Sequence, residues 1–186
     1  MNASFRLATV SALLAVALTA NAQTTAPAEA PVDMGQTVPD AKAIAEGLFP
    51  EDACEQLKAA GFKCMGFRPA VRYSLPANSF AVGSAVLPDV LKRQLEVFAE
   101  VLKTRRGSGK VVRIEGHADA SGTAQANLTL SQRRAEAVKE FLVELGADST
   151  MLAPVGVGSN QPKNSRDPFA AENRRVEIGR AASPGG

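Results

Sequence analysis

Apolar positions recur along this chain with two spacings, and each spacing predicts a different element. After Pro88 they repeat every three or four positions, which predicts a helix with one buried face, formed by Leu91, Leu95, Phe98 and Leu102. A second helix is predicted to start between Thr123 and Ser131 and to end at Gly146, and its buried face comprises Ala135, Val138, Leu142 and Leu145. The chain therefore contains two amphipathic helices whose apolar faces need a common partner.

Short apolar runs supply that partner as a sheet. Strands are predicted at residues 72–75, with an end near residue 81, and at 111–115, 152–157 and 173–180. Pro154 lies inside the third run and has no N–H to donate, so this strand must lie at an edge of the sheet or turn that position outward. The order strand-helix-strand-helix-strand-strand predicts an α+β fold, a sandwich in which the helices pack on one face of a mixed sheet.

The first 49 residues differ in composition from the rest. Arg6, an apolar stretch at 7–20 and the small residues Ala20-Asn21-Ala22 are typical of a secretory signal peptide, so we expect residues 1–22 to be removed on export. An uncleaved anchor is the alternative, but the stretch is shorter than the ~20 residues of a spanning helix. Residues 23–49 begin with Ala, Pro and Thr in no apolar period and are predicted to form a flexible linker. The mature chain is expected to carry no transmembrane segment.

Residues 50–70 are predicted to form a small helical element. Pro50, Glu51 and Asp52 are typical of a helix start, and Gly61 would end the helix. Cys54 and Cys64 could meet only if the chain doubles back after Gly61. Export to an oxidising compartment favours a disulfide over two free thiols, and two cysteines without further Cys or His make a poor metal site.

The distribution of charge along the chain bears on whether nucleic acid could be a partner. The formal net charge is +2, and Lys and Arg are interleaved with Asp and Glu rather than gathered in a stripe. This distribution argues against nucleic acid as a partner.

One stretch carries the strongest signal in the chain. The strand at 111–115 runs into Gly116-His117-Ala118-Asp119-Ala120-Ser121-Gly122, and Asn127, Leu130-Ser131, Arg133-Arg134-Ala135 and the closing run 173–178 follow in order. These motifs resemble the C-terminal peptidoglycan-binding domain of outer-membrane protein A. The OmpA-like family includes peptidoglycan-associated lipoproteins and flagellar stator subunits. The resemblance covers roughly residues 73–180 and places an OmpA-like domain at 71–181.

The resemblance implies a binding site for the diaminopimelate of the peptidoglycan stem peptide. Asp119 would accept hydrogen bonds from its ammonium, Arg134 would hold its carboxylate as a two-pronged fork, and Asn127 would orient the ligand or the loop. Secondary candidates are Gly122, Thr123, Leu130 and Arg174, whereas Arg175 is expected to brace the sheet end. Ala126 stands where the family often has an aromatic residue. The alternative for Asp119 and Arg134 is an internal ion pair that fixes the loop to the helix. No cofactor or metal is implied.

The expected function is therefore noncovalent, non-catalytic binding of peptidoglycan in the periplasm, in a position that could face the outer membrane. One alternative is an adapter that docks an envelope protein through its Cys54–Cys64 element. Another is a wall-remodelling hydrolase built on His117, the only histidine, and Asp119. A hydrolytic metal there needs a third protein ligand, and a triad with Ser121 would crowd three side chains onto one loop. His117 is instead expected to be a partly exposed residue at a strand end.

Overall fold

A computed structural model describes residues 30–64, 69–75 and 80–181. Within these ranges the chain forms four α-helices and one five-stranded sheet. The helices are α1 (Ala41–Leu48), α2 (Glu51–Ala59), α3 (Asp89–Lys103) and α4 (Ala124–Glu144). The strands are β1 (Val32–Asp33), β2 (Tyr73–Leu75), β3 (Val112–His117), β4 (Leu152–Gly158) and β5 (Val176–Arg180). Among the described helices, none combines the length and the apolarity that a membrane crossing requires.

The sheet is mixed, with strand order β1-β2-β5-β3-β4. β3 lies between β5 and the edge strand β4, antiparallel to β5 and parallel to β4, with Ile114 opposite Ile178 and Glu115 opposite Glu177. Because side chains alternate along a strand, Ile114 and Ile178 point to one face and Glu115 and Glu177 to the other. The apolar face packs under α3 and α4, which confirms the predicted α+β sandwich.

Both predicted helices have the buried faces that their spacing indicates. Pro88 caps α3 in an extended conformation, and Gly146 follows α4 with a φ of 101°, in the left-handed range. The core residues at less than 1% exposure on these two helices are Leu91, Leu95, Phe98, Leu102, Ala135, Val138 and Leu142. The two helices therefore supply much of the apolar layer above the sheet.

Two glycines let α4 approach the sheet unusually closely. Gly116 on β3 and Gly156 on β4 are register partners. A Cβ atom at Gly116 would lie 2.0 Å from the Ser131 carbonyl oxygen, and one at Gly156 would lie 2.6 Å from the Gln132 nitrogen. Only glycine fits at these positions, and the close approach brings the middle of α4 to the end of β3.

β4 is an edge strand, as the proline inside it predicts. Pro154 pairs with Ile114 from this edge. Two other backbone N–H groups of β4 are bound by α4, since Gly156 N donates to Gln132 Oε1 at 2.6 Å and Gly158 N donates to Ser131 Oγ at 2.8 Å.

The predicted linker is wrong from residue 32 onward. β1 pairs with β2, and α1 buries Ile44, Leu48 and the following Phe49 in the core. The alanines between these residues dilute the apolar period in the sequence, although Ile44 and Leu48 are one helical turn apart. Residues 23–29 of the predicted linker and the predicted signal peptide, 1–22, lie outside the described residues.

The cysteine element forms as predicted and is fixed to the domain. Cys54 on α2 bonds to Cys64 with a Cα–Cα distance of 5.4 Å, after the chain turns at Gly61. Arg180 and Lys110 each contact Glu51, at 2.6 and 2.7 Å. These ion pairs join α2 to the last strand and to the segment before β3, so the element is part of the domain.

Two boundaries differ from the sequence prediction. Residues 171–173 form a short 3-10 turn and β5 begins at Val176, so the last strand is shorter than predicted. The first predicted strand is observed as Tyr73–Leu75, and part of its predicted end, at residues 78–79, lies outside the described residues.

Candidate functional site

Asp119 lies in the loop that leaves the end of β3, as predicted, and is 5% exposed. Its Oδ1 accepts a hydrogen bond from the Ser121 nitrogen at 3.0 Å, which shapes the loop. Its Oδ2 accepts one from Arg174 Nη1 at 2.8 Å. Burial by itself raises the pKa of Asp119, but the bonds from Arg174 and Ser121 outweigh burial and hold that pKa below its ordinary value. The carboxylate is therefore charged at neutral pH.

Arg134 is fully buried on α4 beneath the loop that begins at Phe80. Its guanidinium stacks on the Phe80 ring, 4.8 Å from the ring centre. It donates to three backbone carbonyls, those of Ser84 (2.9 Å), His117 (2.9 Å) and Ala81 (3.3 Å). Because a guanidinium has five N–H groups, one remains on each terminal nitrogen. Arg134 thus holds the Phe80 loop against the end of β3, and the remaining N–H group on each of its two terminal nitrogens is left for a ligand.

Burial, and after it the nearby charge of Arg174, lower the pKa of Arg134 to about 10, although the charge of Asp119 acts in the opposite direction. The side chain is still protonated at neutral pH. These opposing influences indicate that Asp119, Arg134 and Arg174 act on one another as a single charged group, which we call the site triad.

The predicted alternative of an internal Asp119–Arg134 ion pair is not what forms. Asp119 pairs instead with Arg174, which the sequence suggested only as a secondary candidate. Fifty-five positions separate these two residues, so no local spacing could reveal their contact. The motif at 173–175 was the only signal, and it did not show which arginine faces Asp119.

Asn127 and two of the secondary candidates, Thr123 and Leu130, line an adjoining cleft. Asn127 is buried and donates to Ser159 Oγ at 3.3 Å, and its Oδ1 lies 3.3 Å from where a Cβ at Gly122 would stand. Thr123 caps α4 by accepting from the Ala126 nitrogen at 3.1 Å. The cleft has a volume of about 570 Å³, and its lining comprises Gly83, Ser121, Thr123, Gln125, Ala126, Asn127, Thr129, Leu130 and Arg133. The site triad lies beside this cleft rather than on its lining.

His117 ends β3, as predicted, but it is buried rather than partly exposed. It is 1% exposed and its Nε2 lies 3.8 Å from both Glu115 Oε2 and Glu177 Oε1. The strand register shifts between Gly116 and His117, and Asp119 belongs to a different cluster. The two residues proposed for a hydrolytic site are therefore not brought together.

Glu115, His117 and Glu177 are close enough to be considered as metal ligands. Three arginines already occupy the carboxylates: Arg175 Nε lies 2.7 Å and Arg72 Nε 3.1 Å from Glu177, and Arg113 Nε lies 2.5 Å from Glu115. Burial, and after it the charges of Arg175 and Arg72, lower the pKa of His117 to about 3. Because these arginines already neutralise both carboxylates and would repel a divalent cation, we assign this cluster to the fold. Arg175 braces the sheet as expected, and it also donates to the Gln161 carbonyl.

A second cleft, of about 710 Å³, lies between α1 and α2 beside the disulfide. Two large apolar side chains of the element, Leu57 and Phe62, are 47% and 65% exposed. No residue of α2 is buried, so Leu57 stands on an exposed helix face.

The comparisons with known proteins converge on one family. A family model described as the OmpA family matches residues 79–175, which contain the whole site triad. The peptidoglycan-associated lipoprotein of Pseudomonas aeruginosa is 39% identical over 101 residues, covering 53% of this chain and 58% of that protein. The peptidoglycan-associated lipoprotein of Pseudomonas putida is 36% identical, covering 53% and 59%. The chain thus spans less than two thirds of the length of these relatives.

Solved structures agree with the fold. The crystal structure of the peptidoglycan-associated lipoprotein from Burkholderia pseudomallei matches with a TM-score of 0.50 at 30% identity, covering 55% of this chain and 87% of that one. The periplasmic domain of Helicobacter pylori MotB matches with a TM-score of 0.50 at 21% identity, over 60% and 83% of the two chains. The second likeness concerns the fold alone.

Proposed function

The chain belongs to the OmpA family, and we propose on that basis that it binds peptidoglycan noncovalently, without catalysis, and so attaches to the cell wall in the periplasm. The support is the family match over the whole site triad and the similarity to proteins named peptidoglycan-associated lipoproteins. The observation that carries the proposal is a buried carboxylate beside two buried or nearly buried guanidinium groups at the end of β3.

The ligand group we propose is the diaminopimelate of the stem peptide. Its free end carries an ammonium and a carboxylate on one carbon, which is the complement of Asp119 and Arg134. Asp119 would accept hydrogen bonds from the ammonium, and the two remaining N–H groups of Arg134 would donate to the carboxylate. Asn127 supports the loop that holds Asp119, and the adjoining cleft gives the rest of the peptide a place beside the triad.

Calorimetry with a diaminopimelate-containing stem peptide tests the site directly. We expect Asp119→Ala and Arg134→Ala each to weaken binding by 10-fold or more, about 1.4 kcal/mol, because each removes one of the two charges that the ligand needs. Arg134→Lys should also weaken binding, since an ammonium does not reproduce the two-pronged grip. The matched control is Arg93→Ala, which removes an exposed arginine of α3 that does not line the cleft and should leave binding unchanged.

Folding must be checked for both arginine variants because Arg134 also holds three backbone carbonyls. Circular dichroism serves that purpose. If the folded Asp119 and Arg134 variants bind like the wild-type protein, the ligand site lies elsewhere.

An adapter function is the second candidate, and the exposed Leu57 and Phe62 beside the larger cleft favour it. Sedimentation with purified sacculi separates the two candidates. Wall binding requires the wild-type protein to sediment with sacculi in the absence of any other protein, whereas an adapter alone would stay in solution.

A further inference from the structure

The charges of the site triad do not balance. Asp119 contributes one negative charge, and Arg134 and Arg174 contribute two positive ones. The side chains of Arg174 and Asp119 are 15% and 6% exposed, and Arg134 is not exposed at all. Arg174 is therefore the most exposed member of the triad.

Arg174 is held in this position by two contacts. Its Nη1 donates to Asp119 Oδ2 at 2.8 Å, and its Nε donates to the Phe80 carbonyl at 3.2 Å. The first contact uses the carboxylate oxygen that an incoming ammonium would need. An arginine of the protein thus occupies the place proposed for the ligand's own cation.

The position of Arg174 decides which ligand the site complements. With Arg174 in place, the triad carries one excess positive charge and complements a plain carboxylate. With Arg174 withdrawn, Asp119 and Arg134 are a balanced pair and complement a group that carries both an ammonium and a carboxylate. A charge left unpaired in a buried site is strongly unfavourable, so each state selects its own ligand.

We propose that Arg174 is the specificity-determining residue of the site, and that ligand binding exchanges the guanidinium of Arg174 for the ammonium of the ligand at Asp119. The inference rests on the proposed function and names how the site recognises its ligand. An ammonium without a carboxylate would displace Arg174 but leave Arg134 uncompensated. A carboxylate without an ammonium would leave Arg174 in place.

The exchange predicts responses of opposite sign in one variant. Arg174→Gln removes the competitor for Asp119, so the stem tripeptide ending in diaminopimelate should bind at least about 5-fold more tightly. The same tripeptide ending in 2-aminopimelate lacks only the side-chain ammonium. It should bind at least about 5-fold more weakly to this variant, because Asp119 is then unpaired and repels its carboxylate.

Two further variants serve as controls. Calorimetry on the full exported protein measures the affinity of every variant for both peptides, and circular dichroism checks that each variant is folded. Arg133→Gln makes the same charge change on the cleft wall and should shift both peptides in the same direction. Arg174→Lys keeps a cation at Asp119 and should retain the wild-type preference between the peptides.

Weaker binding of both peptides by Arg174→Gln would make Arg174 a direct ligand residue and overturn the exchange, as would an unchanged affinity for both. Either result leaves the proposed function intact if the wild-type protein binds the diaminopimelate peptide. A wild-type protein that binds neither peptide overturns the proposed function, and this inference with it.

Discussion

Two charged clusters lie on opposite sides of β3, and both have one more arginine than carboxylates. One cluster lies on the face of the sheet turned away from α3 and α4, which we call the helix-free face. There Glu115 and Glu177 are surrounded by Arg72, Arg113 and Arg175. At the end of the strand, Arg134 and Arg174 share Asp119. The number of charges alone therefore does not tell a structural cluster from a binding site.

What differs is where the excess charge lies. On the helix-free face, Arg72 and Arg113 are 35% and 45% exposed, so water compensates the surplus. In the site triad the surplus is shared by groups that water scarcely reaches. The helix-free cluster also stands mostly on paired strands, whereas Asp119 and Arg174 stand outside the strands. The surplus charge of the site triad is thus buried and outside the strand pairing, which leaves it for a ligand to neutralise.

Glu177→Gln should have the largest effect on stability. Glu177 is 2% exposed, accepts a hydrogen bond from Arg175 and is ion-paired with Arg72, so a neutral side chain leaves the buried guanidinium of Arg175 without its charge partner. We expect the free energy of unfolding at neutral pH to fall by about 3 kcal/mol. Urea unfolding measures it, and binding to the stem peptide should be unchanged in the folded variant. A loss below about 1 kcal/mol would contradict a structural role for the helix-free cluster.

His117 should make stability depend on pH between 6.5 and 5. Its folded pKa of about 3 lies below the unfolded value of about 6.5, so only the unfolded chain takes up a proton as the pH falls through this window. The resulting loss is up to about 2 kcal/mol, at 1.36 kcal/mol per pH unit.

The measurement is urea unfolding at pH 7 and pH 5. The chain has one histidine, so His117→Gln is a clean control and should flatten the dependence. A wild-type protein that is equally stable at both values would show that His117 is protonated in the fold, as a partner of Glu115 and Glu177.

Asp119→Asn should have the smallest effect on stability. The amide oxygen still accepts from the Ser121 nitrogen, and the partly exposed Arg174 can turn toward water. We expect a loss of about 1 kcal/mol in urea unfolding, together with the loss of stem-peptide binding. A loss as large as that of Glu177→Gln would mean that the site triad is as structural as the cluster across the strand.

The sequence predicted the elements that depend on local periodicity. The spacing of Leu91 to Leu102 located α3, and the cysteine pair and Gly61 predicted the bonded element. α1 was missed because Ile44 and Leu48 stand among alanines, and a helix so short takes its stability from packing rather than from propensity.

The sequence named the candidate site residues but not their pairing, and their role as ligand residues stays a prediction. Asp119 and Arg134 were found from a motif, but the Asp119–Arg174 contact depends on how β5 and its preceding turn meet the β3 loop. His117 was predicted to be partly exposed because it ends a strand, but its burial depends on contacts such as that with Glu177 of β5, which the sequence does not place beside it.

The backbone of β4 has one further consequence, for how copies of this protein meet one another. An uncovered sheet edge normally offers a row of N–H donors to a strand of another molecule, which is how edge-to-edge aggregation begins. Here Leu152 N donates to the Ser149 carbonyl, Pro154 has no N–H, and Gly156 and Gly158 donate to α4. Every second position along the strand is thus closed to an incoming chain. A protein concentrated at a surface can therefore crowd against its neighbours without this edge recruiting them into a continuous sheet.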